Sequence, residues 1–222
     1  MKNINKINDN RYFIILSQFP LIKKERFLQS HECFIDVIDN WNKILGDLII
    51  MAPSEQERIV IIENLYNKHG YGDINKTNTN IVINLLKSLG YDKEIKLYNV
   101  NLPTHRIISK FNELLYHSTN VSWIYSIATL AMIEYVFIDV NTNIYNYTKN
   151  FLLEEINNNY NQYKTDDDHQ YIKLINLLIP YITTSQSYMD EIISGLNFGY
   201  NIVNNLYTDL SYFLCIQSTK KK

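Results

Sequence analysis

Apolar residues recur along the chain at three- and four-residue intervals, the spacing of helices with one buried face, and no hairpin signal competes with them. Phe27, Phe34, Val37, Trp41, Leu45 and Leu48 belong to one broad stripe that predicts a single helix from Lys24 to about Ile50, interrupted by Pro53. Ser54 followed three residues later by Glu57 has the form of a capping box, so the next helix starts there and runs to about Lys68. Gly70 supplies a left-handed stop, and after a loop from Tyr71 to Lys76 the residues Ile81, Val82, Leu85, Leu86 and Leu89 share a face that Gly90 closes. Pro103 and Thr104 open a further helix. From about Val121 to Val140 the chain is almost entirely apolar, as a central helix buried on most sides would be. Later helices are expected from about Phe151 and from about Asp167 to Leu178, with a break at Pro180 and a start signal at Ser187 and Asp190 inside the final helical region.

Four prolines and six glycines in 222 residues suit this reading, because the prolines and half the glycines fall between the periodic segments. The chain therefore reads as all-α: a single-domain multi-helix bundle over 1–222, with about 1–23 as an N-terminal extension and 216–222 as a polar tail. Hydrophobic residues make up 46% and the formal net charge is −2, so nothing suggests a basic face for nucleic acid. Cys33 and Cys215 have no metal-type spacing and read as core thiols. The first residues lack an apolar signal core, and no run approaches the ~18 uninterrupted apolar residues of a membrane span. The expectation is a cytoplasmic protein with no membrane partner.

Two features could carry chemistry. Glu134 lies in the middle of the most apolar helix, where an ionised carboxylate must be protonated, hydrogen-bonded or paired with a cation or metal unless it escapes to water. Asp166 and His169 stand three residues apart, which puts both on one helical face, although Thr165 and the acids after it also make an ordinary helix start. A phosphate-cradling glycine loop, a Gly-x-Ser-x-Gly elbow and a His-Glu-x-x-His helix do not occur. Nothing near Cys33 marks it as a nucleophile.

Asn64-Leu65, the Gly70-Tyr71-Gly72 step, Thr77-Asn78 and a helix ending in Leu89-Gly90 resemble the signature of the heme-oxygenase-like iron-containing redox enzymes. That signature is approximately Asn-Leu-x-Asp-Glu-x-Gly-x-Gly, a short loop, Ser-His and a helix closing on Leu-Gly. The likeness extends diffusely from about Gln29 to Leu210 and includes Arg58 and the Ile133-Glu134-Tyr135 region. It implies a heme-oxygenase-like bundle, related in fold to thiaminase-like and pyrroloquinoline quinone synthase-like proteins.

Carried over position by position, Glu134, Asp166 and His169 match iron ligands of that family. Lys68, Asn78 and Gln162 stand where it has Glu, His and His. A protonated ammonium has no lone pair for a metal and an amide is a weak donor, so this ligand set is expected to hold one non-heme iron or none. Glu63 and His69 are the candidate substitute ligands. His31 is too ordinary a residue on its helix to imply heme, which is not expected. If the chain is an enzyme, the resemblance implies O2-dependent oxidation of a small organic substrate; the alternative is a non-catalytic relative that binds a small molecule or a protein. In a metal-free chain Lys68 is expected to neutralise Glu134 and Asp166.

Overall fold

The computed structural model describes residues 7–18, 24–91, 104–149 and 170–215. Among these residues every regular element is helical: α1 (Arg11–Gln18), α2 (Lys24–Glu32), α3 (Phe34–Met51), α4 (Glu55–Lys68), α5 (Asn78–Ser88), α6 (His105–Thr119), α7 (Trp123–Thr148), α8 (170–182) and α9 (Gln186–Cys215), with short 3-10 turns at Ile7–Asp9, Gly70–Gly72 and Ile74–Lys76. The all-α expectation holds for them.

Side-chain caps set several of the starts. The hydroxyls of Ser54, Thr77 and Ser122 accept from the backbone amides of Glu57, Asn80 and Tyr125, each satisfying a donor that the first turn leaves open. The carboxylate of Glu57 accepts a hydrogen bond from the hydroxyl of Tyr181, a tertiary contact. At the end of α4 the chain reverses through Gly70, Tyr71 and Gly72, with φ of 65°, 56° and 88°. A side chain on Gly70 would lie 2.6 Å from the backbone of Lys76, so only glycine fits this stop.

The central layer is α7 packed along α9. Ile127, Leu130, Ala131 and Ile133 on α7 meet Val203, Leu206 and Leu210 of α9 within one core, all of them 2% exposed or less. On length and composition α7 could cross a membrane, and 72% of its most apolar window is buried inside the fold. Helices α1, α2 and α6 also contact α9, while α3 touches α4, α5, α6 and α7. This leaves α3, α4, α5 and α7 around a common space.

Several boundaries differ from the expectation. The predicted helix from Lys24 to Ile50 is two helices that meet at Cys33. There the Ser30 hydroxyl donates to the Phe27 carbonyl and the Cys33 thiol to the Ser30 carbonyl, local bonds that compete with the regular ladder. Part of the N-terminal extension belongs to the core, since Tyr12, Phe13 and Leu16 are buried on α1. The break expected at Pro180 comes at 183–184, because α8 continues through the proline to 182. The ring of Tyr181 packs against Trp123 and Tyr188 and holds that last turn in place. Helix α9 opens at Ser185, whose hydroxyl accepts from the Tyr188 amide, two residues before the expected signal. Both cysteines are free; Cys33 is buried, but Cys215 is exposed on the last turn of α9 and is no core thiol. The segments expected to begin near Phe151 and Asp167, Pro103 and the 216–222 tail lie outside the described residues.

Candidate functional site

The inward face of α4 carries Ile61, Asn64 and Lys68, spaced by three and four residues, and ends one residue before the turn that begins at His69. Glu134 occupies the middle of α7 and is 2% exposed; Lys68 is 5% exposed. The two meet with the Lys68 ammonium 3.0 Å from Oε1 and 3.1 Å from Oε2 of Glu134, so a single cation bridges both oxygens of the carboxylate. The ammonium thus supplies the compensation that a carboxylate in this helix requires.

The pair forms part of the wall of a cavity of about 80 Å³. Several times the ~10–15 Å³ needed for one water, this volume admits a small molecule. The wall is mainly apolar, through Phe34, Val37, Ile38, Val82, Leu85 and Phe137. Asn78, 6% exposed on the first turn of α5, lines the same cavity, as do Asn42 and Asn141.

Of the residues singled out in the sequence, Lys68, Asn78 and Glu134 are thus brought to one place. Asp166, His169 and Gln162 lie outside the described residues. Glu63 and His69, expected as substitute ligands, both face outward. Glu63 pairs with Lys173 at 2.8 Å across the surface, and the exposed His69 places Nδ1 2.9 Å from the Leu65 carbonyl. Their positions on α4 and just after it are rotated away from the buried Asn64 and Lys68.

Sequence reasoning passed over other residues of the wall. His31, set aside as an ordinary helical histidine, lines the cavity at the end of α2, 4% exposed and stacked at 4.0 Å on Phe27. Burial pushes its pKa down to about 4, partly offset by the Phe27 carbonyl, so the ring is neutral at pH 7. Trp41 and Asn42 follow on α3 and Tyr207 on α9. Trp41 looks like any other member of an apolar stripe, and only the three-dimensional position of its indole gives it a second role.

The described residues do not fit a non-heme iron. The cavity lining offers one carboxylate, and both of its oxygens already face an ammonium; the imidazole of His31 is packed among aromatic rings. Among the described residues no group of three or more His, Cys, Asp or Glu is placed to share a metal.

The chain matches no model of a known protein family, and no curated protein matches its sequence.

Proposed function

We propose that this chain is a small-molecule-binding protein on a heme-oxygenase-like helical scaffold, in which the Lys68–Glu134 pair takes the place that the resembled enzymes give to iron. One observation carries the reading: a buried ion pair in the wall of an apolar cavity, formed by the two residues that the resemblance aligns with metal ligands. A lysine at that position repels a metal cation and occupies the carboxylate that would bind it. The fold keeps the cavity while the donors for oxygen chemistry are replaced.

The competing reading is O2-dependent oxidation at a non-heme iron with Glu134, Asp166 and His169 as ligands. It requires Glu134 to exchange Lys68 for a metal. Anaerobic titration of the purified protein with Fe(II), followed by desalting and metal analysis, separates the two. The expected result is far less than one iron retained per chain. One or two irons retained stoichiometrically would overturn the proposal and restore the enzymatic reading.

A further inference from the structure

The chemistry of the cavity wall narrows what can occupy it. Lys68 and Glu134 cancel within the wall, and His31 is neutral, so the described lining has no net charge to offer a ligand. An anionic guest would set two carboxylates around one ammonium. A cationic guest would compete with Lys68 for one carboxylate. Either would disturb a matched ion pair inside a mainly apolar wall.

The lining is polar in another way. Among the polar atoms of its residues, Nε1 of Trp41, Oδ1 of Asn42 and Nε2 of His31 have no hydrogen-bond partner among the described residues. The indole N–H can only donate and the amide oxygen can only accept. The role of the imidazole nitrogen follows from its neighbours. Nδ1 of His31 lies 3.1 Å from the Phe27 carbonyl, which only accepts, and the Ser30 hydroxyl gives its own proton to that same carbonyl at 2.8 Å. The Tyr12 hydroxyl lies 3.2 Å from the same Nδ1, so Nε2 keeps a lone pair when Nδ1 donates to Phe27 and carries the proton when Nδ1 accepts from Tyr12. A donor on Trp41, an acceptor on Asn42 and a third polar atom on His31 are therefore left over on residues that line one cavity, two of them on residues more than nine-tenths buried. Buried polar atoms without partners are uncommon, and a bound molecule is one way to complete them.

We propose that the cavity takes an uncharged, mostly apolar molecule bearing one group that both donates and accepts a hydrogen bond, the class of alcohols, phenols and carboxamides. The inference rests on the binding function proposed above and names its ligand class. The donor of such a molecule serves Asn42, its oxygen accepts from Trp41, and its apolar body fills the space between Phe34 and Leu85.

Four probes of similar size and different character test this by calorimetry on the full chain: benzyl alcohol, toluene, benzoate and benzylammonium. Benzyl alcohol should bind at least tenfold tighter than either ion and measurably tighter than toluene. Trp41→Phe and, separately, Asn42→Leu should each shrink the preference for benzyl alcohol over toluene severalfold; the second variant alters a partly exposed residue and preserves the test if the first does not fold. Equal or tighter binding of benzoate or benzylammonium would overturn the neutral ligand class while leaving a binding cavity in place. Equal binding of toluene, or a preference unchanged in both variants, would overturn the hydrogen-bonding assignment. Failure of all four probes to bind would remove the binding function itself and this inference with it.

Discussion

The hydroxyl of Thr129 donates to the carbonyl of Gly195 at 3.2 Å across the interface of α7 and α9. The contact exists because α9 presents Gly195 and Gly199 one turn apart, letting the two backbones approach. A Cβ on Gly195 would lie 2.6 Å from the carbonyl oxygen of Tyr125, and one on Gly199 would overlap the carbonyl of Thr129. Gly195→Ala should therefore force the central helices apart and destabilise the fold by about 1–3 kcal/mol. Gly46→Ala in α3 is the control. Nothing lies within 4 Å of a Cβ there, and removing a helix-interior glycine should stabilise by about 0.5–1 kcal/mol. Urea unfolding of the two variants should move the midpoint in opposite directions.

Lys68→Ala should leave the Glu134 carboxylate buried without its cation, at a loss of about 3–5 kcal/mol in chemical unfolding. Replacing both partners by apolar residues of similar volume, Lys68→Met with Glu134→Leu, should recover most of that loss, since no bare charge remains. An unchanged midpoint in the single variant would mean that Lys68 is solvated in solution.

Stability should also fall on mild acidification through His31. Its folded pKa of about 4 lies below the ordinary 6.5, so between these values the unfolded chain binds the extra proton. The contribution is fully present above pH 6.5, declines as pH falls below it and is exhausted near pH 4, about 3 kcal/mol in all. Between pH 7 and 5 the wild type should lose about 2 kcal/mol from this group. His31→Gln, neutral throughout, should remove that part of the slope; an identical slope in the variant would assign the effect to other residues.

Much of the helical layout was legible because it depends on local chemistry. Ser54, Gly70 and Gly90 acted as punctuation where the sequence placed it, and the apolar run after Val121 became the central helix. The break at Cys33 was hidden, since the stripe from Phe27 to Leu48 keeps its spacing across it and only the side-chain bonds of Ser30 and Cys33 disturb the ladder. At the site, Glu134 was visible as an acid in an apolar helix and Lys68 as a cation in place of an expected acid. His31, Trp41 and Tyr207 were not, because nothing local distinguishes a core aromatic or imidazole that lines a cavity from one that simply fills space.

The Lys68–Glu134 contact joins positions 66 residues apart into one inherited unit. A change at either alone takes from the other the partner it meets at about 3 Å, so the two codons are expected to drift together, and selection sees them as a single character. Related chains should carry Lys with Glu or an uncharged pair at these two sites, and a carboxylate at position 68 should appear only where another cation has come to stand beside it.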